Sequence, residues 1–223
     1  MNNSTPHLVH TVGSIELSPD FSDMVMQASP SIAMFTACTM SDGKTNMRSG
    51  TSFCVDERGF FLTALHYVQG SSYSFILVGS DIIPMLLVAV DEELDLALFV
   101  VKSLDRKFIP LRLCSTAPEK SEIVVGAGFP AVGLTVALAA YVVGYQGQFV
   151  NGQDAEQPGI ECPALPTAAW FIGGEVDLSG FSGGPMLNEN GLVVAVTEMG
   201  DGDVFVAGTT AADALRFLGA KLR

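Results

Sequence analysis

The stretch on which the reading of this chain turns is Gly180-Phe181-Ser182-Gly183-Gly184-Pro185. A serine stands among three glycines, and beyond Pro185 comes the apolar run Gly191-Leu192-Val193-Val194-Ala195-Val196. Glycine accepts positive φ and close backbone approach, so such a loop can aim successive N–H groups at one point. Attack on a carbonyl needs that kind of point beside the nucleophile, where the developing oxyanion is held. Alone, the string reads as a tight turn between strands. It carries more only if the chain also supplies a base and an orienting acid.

Of the three histidines, His7 and His10 lie in a polar N-terminal stretch. No carboxylate or cysteine completes a metal ligand set around them, so neither a metal nor a cofactor is expected. His66 is the histidine in an ordered setting. Gly50-Thr51-Ser52-Phe53-Cys54-Val55 and Phe60-Phe61-Leu62-Thr63 read as two strands joined by the turn Asp56-Glu57-Arg58-Gly59. That hairpin delivers Thr63-Ala64-Leu65-His66-Tyr67-Val68 at its end, where a general base at a cleft edge would stand. Asp95 interrupts the apolar strand Leu94 to Val101. An ionised carboxylate in such a strand requires a hydrogen-bonded or charged partner.

The remaining chain reads as β-rich. Hydrophobic residues are 48% and charged ones 16%, so a sizeable core is expected. A short helix is expected over Asp20–Ala28, ended by Pro30, and a strand over Ser31–Thr39. Met40 to Ser49 reads as a polar loop, followed further on by strands over Tyr73–Gly79 and Ile83–Val90. Thr116 to Ser121 reads as a linker. The apolar run Ala127 to Val143 is long enough to raise a membrane helix, but Pro130 and Gly133 favour two tightly turned strands. Residues 147–166 read as a Gly/Pro/Gln-rich loop. Further strands are expected at Ala168–Gly173, Leu192–Glu198 and Val204–Ala207, and a helix over Ala211–Leu222. The domain division is an arm at 1–19, one half at 20–115 and a second at 116–223.

The net charge of −13 is unsuited to a nucleic-acid partner, which requires clustered Lys and Arg. Among the four cysteines, Cys38 and Cys54 fall on segments that can be neighbours, which leaves one disulfide open beside the reading of free buried thiols. The polar start has no apolar core segment of the signal-peptide kind, so a cytoplasmic protein with no membrane partner is expected.

His66, Asp95 and Ser182 follow one another at gaps of 29 and 87 residues. In that order, and with the segments quoted above, the chain resembles the trypsin-like serine proteases of the chymotrypsin fold, within them the HtrA-type branch. Ser22-Asp23-Met24-Val25 through Pro30-Ser31-Ile32, Asp95-Leu96-Ala97-Leu98 and Gly128-Phe129-Pro130 extend the likeness to roughly residues 20–222. The resemblance implies an all-β fold of two perpendicular six-stranded antiparallel barrels, with a short N-terminal helix and a C-terminal helix; one helix closes the sequence, so the PDZ-type regulatory domain of many HtrA-type members is not expected. It implies that His66 takes a proton from Ser182, that Asp95 orients the imidazole, and that the N–H groups of Gly180 and Ser182 form the oxyanion hole. It places Val176, six residues before the serine, at the base of the substrate pocket, with Asp177 and Thr197 as further lining; a one-residue slip to Asp177 would turn an apolar preference into a basic one. The activity implied is endopeptidase hydrolysis of a peptide or protein through an acyl-enzyme. Phe181 departs from the pattern, since digestive members carry an aspartate there and HtrA-type members an asparagine. Zymogen activation through that aspartate is therefore not expected, and a silent peptide-binding module of the same fold is the second reading.

Overall fold

The computed structural model describes residues 19–102, 106–116, 118–119, 122–129, 136–145, 167–171, 179–200 and 205–222. The arm at 1–18 with His7 and His10, the loop at 147–166, Cys162, Val176 and Asp177 lie outside them.

Helix α1 (Pro19–Ala28) leads through a 3-10 turn at Ser29–Ser31 into β1 (Ile32–Ser41). Then follow β2 (Lys44–Asp56), β3 (Phe60–Ala64), β4 (Tyr73–Val78), β5 (Asp81–Asp91) and β6 (Leu96–Val101). These six close into an antiparallel barrel in the order β1-β2-β3-β6-β5-β4. The second half adds β7 (Ile123–Gly128), β8 (Val136–Tyr145), β9 (Thr167–Phe171), β10 (Pro185–Asn188), β11 (Val193–Gly200) and β12 (Phe205–Thr210), then α2 (Ala211–Lys221). They form a second antiparallel sheet with neighbours in the order β10-β11-β12-β9-β8-β7, and β10 also pairs with β7.

Inward-facing apolar residues hold this arrangement. Phe35, Phe61, Ile76 and Phe99 fill the first barrel, the rings of Phe35 and Phe99 lying 5.0 Å apart at a tilt. A second cluster spans both halves. Phe53, Leu62, Leu96 and Leu98 from the barrel join Leu187, Val193 and Val196 from the second sheet, and Ala214, Phe217 and Leu218 from α2. Thr210 caps α2: its Oγ1 accepts from the Asp213 N–H at 3.1 Å, a contact of the kind worth about 1 kcal/mol.

Two expectations need correction, and one strand was not anticipated. Met40 to Ser49 is not a loop: β1 and β2 run on as an exposed ribbon to a turn at Asp42-Gly43, with Ser41 paired to Lys44. Asp95 does not interrupt a strand. It ends the turn before β6, at φ 49°. Pro185–Asn188 is a strand that the sequence pattern did not suggest. Cys38 and Cys54 are free and buried, because the β1–β2 register sets Cys38 opposite Met47. Among the described residues no helix is long and apolar enough to cross a membrane.

Candidate active site

His66 sits in a single 3-10 turn, Leu65–Tyr67, immediately after β3. The Asp95 turn fixes it from the side. The Asp95 carbonyl accepts from the Leu65 N–H at 2.8 Å, and Asp95 Oδ1 accepts from the His66 N–H at 2.8 Å. Asp95 Oδ2 meets His66 Nδ1 at 2.5 Å. Backbone and side chain of one aspartate thus hold both the main chain and the ring of one histidine. That explains why Asp95 keeps a left-handed φ, a conformation that costs a non-glycine residue about 1–3 kcal/mol. Burial pushes the Asp95 carboxyl up, but the bonds from the His66 ring and backbone, with the nearby Glu198 side chain, outweigh it and hold the group below the usual carboxylate range. The His66 side chain is 43% exposed, so its outer edge is open to solvent.

The glycine loop reaches the same place from the second half. The Ser182 carbonyl accepts from the Thr51 N–H at 2.9 Å. A Cβ built on Gly50 would lie 3.1 Å from that carbonyl and 3.2 Å from the Tyr67 ring, which itself packs on His66 at 4.7 Å between centroids. Gly183, at φ 82°, is seated on the end of β3: a Cβ there would strike the Thr51 carbonyl and Thr63 Oγ1 and come within 2.8 Å of the Ala64 N. The structure therefore seats the serine loop, through Gly183, on the end of the strand that leads into His66.

Thr197 lies behind the loop, 3% exposed. Its carbonyl accepts from the Gly183 N–H at 2.6 Å and its N–H donates to the Gly184 carbonyl at 2.8 Å. Thr51 grips the loop from the first barrel. Its Oγ1 donates to the Gly180 carbonyl at 2.5 Å and accepts from the Phe129 N–H at 2.9 Å. Gly180 has φ 96°. Phe181 is buried, 2% exposed, against Gly128.

The sequence pattern did not point to Thr51 or to Glu198. Glu198, on β11, is 2% exposed, and one of its oxygens lies within 4.8 Å of donor atoms of both His66 and Asp95. Burial pushes its carboxyl well above the usual range, and the Asp95 carboxylate adds to the effect. The available signal was an acid continuing an apolar strand, the same one that drew attention to Asp95. These three side chains do not form a cation site in this geometry. A 2.5 Å separation between His66 Nδ1 and Asp95 Oδ2 is a hydrogen bond, and an ion bound to both atoms at about 2 Å from each would hold them further apart.

A base bonded to a half-buried acid, with a serine-bearing glycine loop packed on the strand end that leads to it, is an arrangement compatible with hydrolase chemistry. The model of the trypsin-like peptidase domain matches residues 50–196, and the chain belongs to that family. Among solved structures it is similar to the Rv3671c protease from M. tuberculosis in its active form, at 20% identity and TM-score 0.69, covering 96% of this chain and 90% of that one. It is also similar to the inactive form of Rv3671c protease, at 21% identity and TM-score 0.67, covering 94% of this chain and 100% of that one. None of the curated proteins matches it.

Proposed function

We propose that the protein is a serine endopeptidase of the two-barrel chymotrypsin type, the halves at 20–115 and 116–223 each contributing a six-stranded barrel. His66 takes the proton of Ser182 Oγ as that oxygen attacks a peptide carbonyl, and returns it to the leaving amine. Asp95 holds the imidazole by its Nδ1 side and stabilises the imidazolium. The N–H groups of Gly180 and Ser182 receive the oxyanion. Water then hydrolyses the acyl-Ser182 ester by the same path in reverse. Val176 forms the base of the specificity pocket, with Asp177 beside it, so an apolar residue precedes the cleaved bond. The substrate is a peptide or protein, and no cofactor or metal takes part.

The observation that carries this reading is the Asp95–His66 bond at 2.5 Å, beside a glycine loop with no room for a Cβ at Gly183. A fluorophosphonate probe tests it. Wild-type protein is expected to be labelled at Ser182, Ser182→Ala not at all, and His66→Ala far more slowly. A folded wild type that the probe leaves untouched would overturn the enzyme reading in favour of a peptide-binding module. A peptide-library cleavage profile with basic residues before the cut would move the pocket assignment from Val176 to Asp177.

A further inference from the structure

We propose that Glu198 is the residue that positions Asp95: a buried, uncharged carboxylic acid that donates its proton to the Asp95 carboxylate, so that two acids share one negative charge behind His66. The inference rests on the proposed role of His66 and Asp95 and adds a member that the three-residue arrangement lacks.

The argument starts from burial. Glu198 is 2% exposed, and neither of its oxygens has a hydrogen-bond partner in the present rotamer. A carboxyl group in that condition costs several kcal/mol if ionised, and less if it is neutral and bonded. Among the described residues, the titratable groups that face it are Asp95, from the turn before β6, and His66, from the turn after β3. Among the described residues no lysine or arginine forms an ion pair with it. Two ionised carboxylates at this separation would repel each other, so one of the two keeps its proton. Asp95 is the one that ionises, because it alone accepts from the His66 N–H and ring. Each Asp95 oxygen retains a lone pair after those two bonds, so it can accept a third donor. The terminal torsion of Glu198 is a soft one, so its carboxyl group can turn toward Asp95, which has an oxygen within 4.8 Å of it.

The location gives this bond a purpose. Glu198 follows Thr197, whose backbone holds Gly183 and Gly184. A bond from Glu198 to Asp95 therefore ties the serine loop to the acid that orients the base, through one residue step of β11. A second tie runs parallel to it, from Thr209 Oγ1 on β12 to the Leu94 carbonyl at 2.9 Å. Together they hold a turn whose left-handed Asp95 would otherwise relax.

The test has one arm that needs no turnover. Urea unfolding of wild type and Glu198→Gln is measured from pH 4 to pH 8. A protonated Glu198 loses its proton on unfolding, so the wild-type unfolding constant should rise relative to the variant. The rise is up to about tenfold per pH unit above the ordinary glutamate value of roughly 4.3. A ratio that stays flat with pH overturns the proposal, whether or not the protein is a hydrolase. The second arm uses kcat/KM on a cleaved peptide. Glu198→Gln, which keeps a neutral donor, should retain the acid limb of the wild-type profile. Glu198→Ala should lose roughly ten- to a hundredfold in kcat, as expected for the loss of one bond to a charged acceptor, with KM little changed. If the acid limb of Glu198→Gln falls by a pH unit or more, the wild-type residue is charged and the proposal fails. If wild type neither labels nor cleaves, the enzyme reading fails while the unfolding arm still decides the fate of Glu198.

Discussion

Replacing Gly183 by alanine tests the packing of the serine loop on the His66 strand, and Gly43→Ala is its control. Both glycines have left-handed φ, 82° and 71°. Both substitutions therefore bear the same backbone term, about 1–2 kcal/mol for an L-residue in that region. They differ in what the new methyl group meets. At Gly43 nothing lies within 4 Å; at Gly183 the methyl group strikes the Thr51 carbonyl and Thr63 Oγ1 and lies 2.8 Å from the Ala64 N. Two of those three atoms are backbone in paired strands and cannot turn aside, so the overpacking term sits near the top of its usual range, about 2–3 kcal/mol. Urea unfolding should accordingly find Gly183→Ala roughly 2 kcal/mol or more less stable than Gly43→Ala. The loop can also escape the clash by lifting off β3. A displacement of about 1 Å between Ser182 and His66 would slow fluorophosphonate labelling of Ser182 about a hundredfold. The reasoning is refuted if Gly183→Ala matches Gly43→Ala in stability and labels at the wild-type rate.

Asp95→Asn should lower kcat about 10⁴-fold while the fold persists, because the amide favours the wrong imidazole tautomer; single-turnover kinetics with circular dichroism checks it. The depressed folded-state value of Asp95 contributes stability that is present above the ordinary aspartate range and lost as pH falls through the folded value. The variant should therefore show a shallower loss of stability below about pH 4. Thr51→Val removes the donor to the Gly180 carbonyl and the acceptor of the Phe129 N–H, both buried or half-buried. Thermal unfolding should show a loss of roughly 2–4 kcal/mol, or about 4–16 °C in Tm for a chain of this size. Cys54, its thiol pushed up to about 11 chiefly by burial, is about one part in a thousand thiolate at pH 8. Iodoacetamide at that pH should modify the partly exposed Cys114 before the buried Cys38 and Cys54, as peptide mapping would reveal.

The sequence made the site legible where chemistry restricts residue type, and obscured it where geometry alone decides. His66 stood out because no other histidine ends a hairpin, and Asp95 because a charge in an apolar run demands a partner. Asp95 was nevertheless assigned to a strand. Its left-handed backbone is imposed by bonds to Leu65 and His66, which lie 30 and 29 residues earlier in the chain, and no local pattern records them. The ribbon over Lys44–Ser49 was read as a loop for a related reason. Its residues are exposed on both faces, so the alternation that marks a half-buried strand is absent. Pro185–Asn188 was missed because four residues directly after a glycine loop carry no readable period. Glu198 was read as the last residue of a strand, and its place behind Asp95 follows only once β11 is paired between β10 and β12.

Phe181 links these observations to the question of activation. In the digestive trypsin-like proteases, an aspartate at this position pairs with a newly formed amino terminus on activation. Here the ring is 2% exposed and lies against Gly128, where an added Cβ would come within 2.9 Å of Phe181 Cδ1. Burying a phenylalanine side chain stabilises by about 2–3 kcal/mol. A buried ion pair has no intrinsic advantage over apolar contact of the same volume, since desolvation offsets most of its attraction. The apolar anchor is supplemented by the Thr51 bond to the Gly180 carbonyl and the Gly184 bond to the Phe181 carbonyl, at 2.5 and 2.8 Å. All three contacts lie within the folded chain and none uses a free amino group. If Gly180 and Ser182 form the oxyanion hole as proposed, these contacts hold residues 180–184 without the ion pair that an aspartate at position 181 would make.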